Sequence, residues 1–466
     1  MNDDNRAAEI AELLRRRAET MAVGDRLPGV RQLSRELAAS AATVSAALAR
    51  LTALGLVRAE PGRGTFVAGR RAQPEPDYSW QSQALGRARV DPRRAGRLGA
   101  HGGAEDIQLS WGYTAAELQP TEALRAQASR AARSARAWSM VPVAGLPDLR
   151  RVLAADYDAE PGDVLVVPGG QQALVFVLRT LAEPGDTVLV ESPSYPGAVL
   201  AAQAAGLELA AVPADLDGIR PDLLADALER TRARVVYLQP GCANPTGAVL
   251  SPERRVEVLA LAAEHGAFVV EDDWARHLGL DGPTPLPLLT EDPHGHVVSI
   301  ATLTKVVAPG LRIAAVVARG PAGERLRTAR IAEDMCVPAL LQETALGLLT
   351  APAWPRHLKV LRARLTERRD AMIDHVREHG PHLRLTHPPR GGIHLWVRVP
   401  EGVDTAALAG AAQAAGVLVG DGAHYFVDEP PAPYVRLSYS AASEPQIAEG
   451  VRRLAGLVAE RAESSA

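Results

Sequence analysis

Hydrophobic and polar positions change their rhythm three times along the chain. Ile10, Leu13 and Leu14 give one apolar helical face, and "LPGVRQLSRELA" opens a second helix after Pro28-Gly29. "SAATVSAALARLTALG" opens a third, with Ser40 as a candidate N-cap and Gly55 as its stop. "LVRAEPGRGTFVAG" then reads as a hairpin, its turn residues Pro61, Gly62 and Gly64 standing between β-branched segments. These elements predict a small domain over residues 1–68. From 69 to 106 the periodicity disappears while Arg70, Arg71, Arg87, Arg89, Arg93, Arg94 and Arg97 accumulate among Pro, Gly, Gln and Ser, which predicts a flexible linker.

After the linker, short apolar runs alternate with helical ones. "DVLVVPGG", "DTVLVESP", "LELAAVP", "ARVVYLQP", "GAFVVEDD" and "HVVSIAT" read as strands, and "QQALVFVLRTLA", "YPGAVLAAQAAG" and "SPERRVEVLALAAEHG" as helices between them. Strands that are apolar throughout and flanked by helices predict a mainly parallel sheet covered on both faces, here a large α/β domain over 107–350. A long charged helix, "RHLKVLRARLTERRDAMIDHVREHG", then introduces "GGIHLWVRV", "VLVGDG" and "YVRLSYS", a smaller α+β domain over 351–466.

Composition narrows the picture. With 466 residues, 47% hydrophobic and 23% charged, the chain is globular and long enough for several cores. Its formal net charge of −4 excludes a protein that coats nucleic acid over its whole surface, so any DNA contact must be local. Cys242 and Cys336 are its only cysteines, which excludes a disulfide framework and a cysteine-rich metal site; no metal is expected. The N-terminal stretch lacks an apolar signal core and no run of about 18 apolar residues occurs, so a cytoplasmic protein without membrane contact is expected.

The chemistry gathers at strand ends, where open α/β sheets bind ligands. "PGGQQAL" places Gly169, Gly170 and Gln171 at a strand-to-helix turn whose backbone N–H groups suit a phosphate. "ESPSYPG" puts Tyr195 at the next strand end, "QPGCANPTG" sets Asn244 before a candidate cis-proline, and "VVEDDWARHL" ends a strand on Asp272. Each has an ordinary structural explanation: a tight turn, core packing, a solvated acidic loop. "TLTKVVAPGLRIAAVV" then sets Lys305 between Thr304 and an apolar run, with Arg312 seven residues on.

In order and spacing, this series resembles fold-type I pyridoxal-phosphate enzymes of the aspartate aminotransferase class, over roughly residues 107–466. The resemblance implies that Lys305 is the Schiff-base lysine of pyridoxal 5′-phosphate, and that Gly170, Gln171, Thr302, Thr304 and Arg312 hold its phosphate. It implies further that Asp272 pairs with the ring nitrogen, Asn244 contacts the 3-oxygen and Tyr195 stacks on the ring. Arg436 in "YVRLSYS" matches the arginine that fixes a substrate or effector carboxylate, a task suited to a bidentate guanidinium.

The first 68 residues have winged helix-turn-helix order and resemble the GntR family, from "LPGVRQL" to the wing "GRGTFV". A winged helix, a linker and an aminotransferase-like domain together resemble the MocR-type regulators. That resemblance implies a head-to-tail, domain-swapped homodimer that binds operator DNA and responds to pyridoxal phosphate or a small amino compound. Arg31, Arg35, Arg50 and Arg63 would serve phosphate contacts, Gly64 of the wing belongs to the same DNA-binding set, and base reading is left to Thr43, Ser45 and small apolar contacts to thymine methyls. Departures also occur. Ala41 and Ala42 stand where a DNA-reading arginine is common, Met140 replaces a tyrosine expected to reach the partner's phosphate, and Trp274 replaces a phenol that contacts the cofactor. The last two weigh against turnover more than against binding. The leading expectation is therefore a regulator, with a working aminotransferase carrying a DNA-binding appendage as the alternative. A DNA-binding protein that uses an enzyme-like scaffold only to dimerise is a third reading, disfavoured because a scaffold has no need of the lysine.

Overall fold

A computed structural model describes residues 3–68, 77–98, 102–103, 105–380 and 382–465. The chain divides into two compact units, Met1–Arg87 and Ala88–Ala466.

In the first unit, helices α1 (Asp3–Glu19), α2 (Val30–Glu36) and α3 (Ala41–Ala53) precede an antiparallel hairpin of β1 (Val57–Glu60) and β2 (Gly64–Val67). Leu14, Leu27, Leu33, Val44, Leu51 and Val57 form its core. The expected N-cap is in place, since Ser40 Oγ accepts the Thr43 N–H at 3.1 Å. Arg31, Arg35, Ser45, Arg50 and Arg63 are exposed, as DNA contact requires. Thr43 is a correction. It is 9% exposed and its hydroxyl lies 2.7 Å from that of Ser40. Residues 43, 44, 47, 48 and 51 share the inward face of α3, so the 3.6-residue period takes Thr43 into the core while Ser45 faces out. Gly64 begins the returning strand at φ 124°, where an L side chain is strained.

The expected linker is only partly irregular. Arg70 and Arg71 lie outside the described residues, but α4 (Ser79–Ala84) and α5 (Pro92–Leu98) are helical. Residues from Ala88 onward belong to the second unit: the Asp91 N–H donates to Gln203 Oε1 at 3.3 Å and Arg94 Nη2 to the Phe426 carbonyl at 3.0 Å. A seven-residue helix is too short to show a periodicity and depends on such tertiary contacts for its stability.

The second unit opens with β3 (Ile107–Gln108), followed by α6 (Thr121–Ala132) and α7 (Pro147–Ala154). Strands and helices then alternate: β4 (Val164–Val167), α8 (Gly170–Leu181), β5 (Thr187–Ser192), α9 (Pro196–Ala205), β6 (Glu208–Asp215), β7 (Gly218–Ile219), α10 (Pro221–Thr231) and β8 (Val235–Leu238). They continue as α11 (Pro252–His265), β9 (Phe268–Asp273), β10 (Val297–Thr302), β11 (Ala314–Ala318), α12 (Gly320–Glu333) and α13 (Ala339–Leu349). The eight strands β4 to β11 form one sheet in the order β4-β11-β10-β9-β8-β5-β6-β7. Only β11 and β7 run against the rest, so the sheet is mainly parallel and the carboxyl ends of β4, β5, β8, β9 and β10 share one edge.

Helix α14 (Trp354–Glu378) leads into β12 (Arg384–Leu385), β13 (His394–Arg398), α15 (Thr405–Ala414), β14 (Val417–Leu418), β15 (Gly420–Asp421), β16 (Tyr434–Ser438) and α16 (Glu444–Ser465). Strands β12, β13, β16 and β15 make a four-stranded antiparallel sheet. Sequence order misleads at one point: β3 pairs in parallel with β14, and the Ser438 N–H donates to the Leu109 carbonyl. The segment after Ile107 therefore packs on the C-terminal elements. Among the described residues no helix is long and apolar enough to cross a membrane.

Replacing Ser40 with Ala should lower the local stability of α3 by about 0.5–2 kcal/mol, because the Thr43 N–H loses its cap. Native-state hydrogen exchange of the α3 amides in the full chain measures this; unchanged protection would show that the cap contributes nothing.

Candidate functional site

The shared carboxyl edge of the sheet opens into a cavity of about 570 Å³. Gly170, Gln171, Tyr195, Asn244, Asp272, Thr302, Thr304, Lys305, Arg312 and Arg436 all line it, although 266 positions separate the first from the last. Strand-end placement brings together the first nine; β16 supplies Arg436 from the smaller sheet.

One end of the cavity consists of donors. Helix α8 begins at Gly170 with its first N–H groups free of intrahelical partners, and Thr302 and Thr304 bring hydroxyls 2.9 Å apart. Arg312, itself at φ 51°, donates Nη2 to the Pro168 carbonyl at 3.0 Å. Its guanidinium lies so close to the turn that a Cβ on Gly169 would stand 2.3 Å from Nη2, and Gly169 has φ 97°. Only glycine meets both demands. A helix N-terminus, two hydroxyls and a guanidinium, with no carboxylate among them, are suited to a phosphate.

Asp272 lies at the end of β9, buried. Its Oδ2 accepts from the Tyr237 hydroxyl at 2.8 Å and from Gln239 Nε2 at 2.8 Å, which leaves Oδ1 for a ligand. Burial raises its pKa to about 6, held back by those two hydrogen bonds. Gln239 is a hub: its Oε1 accepts the Asn244 N–H at 2.8 Å and its own N–H donates to buried Glu191 at 2.9 Å. The Asn244–Pro245 bond is cis, as the sequence suggests. Asn244 Oδ1 accepts Arg436 Nη1 at 3.2 Å, so its amide N–H₂ is the group left to donate.

Lys305 follows β10. Its Nζ donates to the Gly112 carbonyl at 2.7 Å and stands 3.9 Å from the centroid of the Tyr113 ring. Burial is the main cause of a pKa lowered to about 7, the positive charges of Arg436 and Arg312 add to it, and Asp272 opposes them. A lysine so placed is about half neutral amine near pH 7, which an ordinary surface lysine is not. Arg436 also donates Nη2 to the Ser110 carbonyl at 2.5 Å, while its Nε is buried without a partner. Tyr195 holds its ring at the cavity wall through a hydroxyl bond to Gln171 Oε1 at 3.1 Å, and burial pushes its pKa up. Trp274 spends its indole N–H on the Cys242 carbonyl at 2.9 Å, leaving no donor for the cavity.

Several members of the site lie outside the motifs. Tyr237 and Gln239 sit two apart, hence on the same face of β8 and its extension; a polar pair in an otherwise apolar strand is the available signal. His394 is visible in the same way within "GGIHLWVRV"; burial, Arg436 and Lys305 hold it neutral, well below the usual range. Ser110, Gly112 and Tyr113 carry no signal, since only tertiary pairing brings them here.

Residues 107–454 match the family model described as Aminotransferase class I and II. The chain belongs to that family. Residues 6–67 match the model for bacterial regulatory proteins of the gntR family, so a GntR-type winged helix is fused to an aminotransferase fold. An uncharacterized HTH-type transcriptional regulator of Bacillus subtilis (strain 168), YdfD, is 28% identical over 94% of this chain and 93% of its own length. The 2-aminoadipate transaminase of Thermus thermophilus is 34% identical over 75% of this chain and 89% of its own. Among solved structures, the α-aminoadipate aminotransferase LysN of Thermus thermophilus, complexed with N-(5′-phosphopyridoxyl)-L-leucine, superposes with a TM-score of 0.75 at 31% identity, covering 82% of this chain and 99% of that one.

The electrostatics give a signed expectation. Capture of a small aldehyde by Lys305, trapped by borohydride and located by mass spectrometry, should rise with pH around a midpoint near 7. Arg436→Gln should move that midpoint up, because a repelling charge is removed, and Asp272→Asn should move it down. A midpoint near 10 in the unsubstituted protein would show that the burial does not act on the amine.

Proposed function

We propose that the protein is a DNA-binding transcriptional regulator whose aminotransferase-like unit holds pyridoxal 5′-phosphate and uses it to sense an amino compound. The observation that carries this reading is Lys305: a buried amine with a pKa near 7, beside a phosphate-suited donor nest, in a chain that also has a GntR-type winged helix. Pyridoxal phosphate, when bound, supplies an aldehyde for covalent capture by an amine and a protonated ring that withdraws electrons from the carbon bearing that amine.

The chain's own residues divide the work. Gly170 and Gln171 N–H groups, Thr302, Thr304 and Arg312 bind the phosphate and so fix the orientation of the ring. Asp272, held by Tyr237 and Gln239, presents Oδ1 to the ring nitrogen and keeps a proton there. Asn244 donates to the ring oxygen, Tyr195 covers the ring face, and Arg436 receives the effector's carboxylate. Lys305 would hold the aldehyde through its neutral amine, and its Nζ can take up a proton whenever the amine is free.

The working form is a homodimer in head-to-tail, domain-swapped arrangement, and the compartment is the cytoplasm. Met140 is 70% exposed and brings a thioether where a phenol would reach a partner's phosphate; with Trp274 committed to Cys242, turnover has two fewer aids than binding. An active aminotransferase is the second reading, favoured by the convergence of Asn244, Asp272, Lys305 and Arg436 on one cavity. Assay of an amino acid panel with 2-oxoglutarate separates the two.

Three measurements test the regulator. The purified protein should show a covalent visible chromophore that Lys305→Ala abolishes without unfolding the chain; a chromophore retained in the variant would remove Lys305 from its role. Operator affinity should fall steeply with salt, and Arg50→Ala should lower the log–log slope by about one; a salt-independent affinity would refute phosphate contact by the winged helix. Arg312→Ala should weaken cofactor binding and change operator affinity by roughly 5- to 150-fold, the usual range of coupling between sites. Equal affinities and footprints for apo, loaded and amine-treated protein would exclude the coupling.

A further inference from the structure

Outside the cavity, one cluster of side chains has the donors and the spacing of a metal site. The end of α14 reads "HVREH", which sets His375, Glu378 and His379 at i, i+3 and i+4, on one face of the helix. A helical hydrogen bond from the His379 N–H to the His375 carbonyl, 3.1 Å, keeps that spacing up to the last of them. His375 Nδ1 stands 3.3 Å from Glu378 Oε2, and the two imidazole rings are stacked, with 12° between their planes and 6.4 Å between their centroids. One ligand atom from each of the three residues lies within 4.8 Å of the other two.

Metal geometry asks for little more. Ligand atoms about 2.0–2.2 Å from a tetrahedral zinc ion are roughly 3.4 Å from one another. His375 and His379 are half-buried and Glu378 is exposed, so rotation of the side chains is enough to close the difference. The last carbonyls of a helix carry partial negative charge, which favours a cation at this end of α14. Among the described residues no lysine or arginine pairs with Glu378. On the α16 side the same pocket is bounded by Pro445, Ala448, Glu449 and Arg452. Arg452 would repel an ion, but Glu449 holds its guanidinium through two hydrogen bonds, at 2.8 and 2.7 Å. The scarcity of cysteine excludes a thiolate site and has no bearing on imidazole, a ligand suited to zinc, copper and nickel.

We propose that His375, Glu378 and His379 bind a divalent transition-metal ion of the zinc type, with water in its remaining positions. Two imidazoles four residues apart on a helix grip one ion from adjacent turns, and the carboxylate between them offsets half of its charge. The ion staples the last turn of α14, the helix that leads from the large sheet to the small one. No residue of this pocket lines the cavity around Lys305, so the site stands independently of the cofactor.

Calorimetric titration of the full chain, stripped with EDTA and dialysed, with zinc chloride tests the site. One equivalent should bind saturably, and His375→Ala and His379→Ala should each raise its Kd by about tenfold or more, since losing a ligand costs at least what losing an outer partner of a ligand does. Glu378→Gln should weaken binding as well. Magnesium, which prefers oxygen ligands, should not bind comparably. Absence of a saturable equivalent, a Kd unmoved in both histidine variants, or equal affinity for magnesium overturns the proposal and reduces the cluster to an ion pair at a helix end. Should the variants fail to fold, hydrogen exchange over the last turn of α14 in the unsubstituted chain decides. Zinc should slow that exchange, because an ion bound only by the folded turn stabilises it, and unchanged exchange overturns the site.

Discussion

Burial of an amine, with positive charge crowded around it, governs the chemistry of the cavity in the second unit. Lys305 shares its cavity with three arginines, and burial removes the water that would otherwise screen them. The ammonium form is therefore disfavoured, and a side chain that is usually a solvated cation becomes a nucleophile near neutral pH. The Gly112 carbonyl and the Tyr113 ring favour the cation, and so does the charge of Asp272, whose own pKa burial raises to about 6. Its hydrogen bonds from Tyr237 and Gln239 prevent burial from neutralising it altogether. The same arrangement has two consequences: a reactive amine, and a cavity rich in cationic donors, which suits anionic ligands.

Secondary structure delivers these groups without help from neighbours in sequence. Parallel strands end on one edge, so a residue just beyond each strand is brought to the same place whatever its number. Gln239 then locks three of these ends together, reaching Asp272 on β9, Asn244 on the loop after β8 and Glu191 on β5. Removing it would leave the ends of several strands without their cross-links, a larger effect than a single lost hydrogen bond. The smaller sheet contributes through Arg436, whose bonds to Asn244 and Ser110 tie it to both the strand-end loops and the segment that follows β3.

What the sequence reveals follows from the range of each interaction. Helix starts, strand runs and strand-end residues are local, so the winged helix, the mainly parallel sheet and strand-end positions such as Gly170, Tyr195, Asn244 and Asp272 are legible on that basis, whereas Thr302, Thr304 and Arg436 are singled out only by the family resemblance. Thr43 misleads because its residue type suggests an exposed hydroxyl, whereas the helical period buries it and Ser40 satisfies it. The pairing of β3 with β14 joins positions some 310 apart and has no local signature. Arg94 is obscured for a related reason: α5 is shorter than two turns, and what orders it is contact with α9 and Phe426 rather than a pattern of its own.

Sensing and turnover place different demands on such a cavity. Turnover requires that Lys305 leave, move a proton and return, and that product depart, so each intermediate must be held no more tightly than the next. Sensing requires only that one bound state be favoured over the free state by enough to shift the DNA-competent conformation, and a ligand shifts it only by its difference in affinity for the two. Strong, fully matched ionic contacts serve the second demand better than the first. Here Asn244, Asp272, Lys305 and Arg436 all face one cavity, while Trp274 turns its only donor away toward Cys242. The groups that capture a ligand are thus gathered in the cavity, while one side chain beside them keeps its donor for the protein itself.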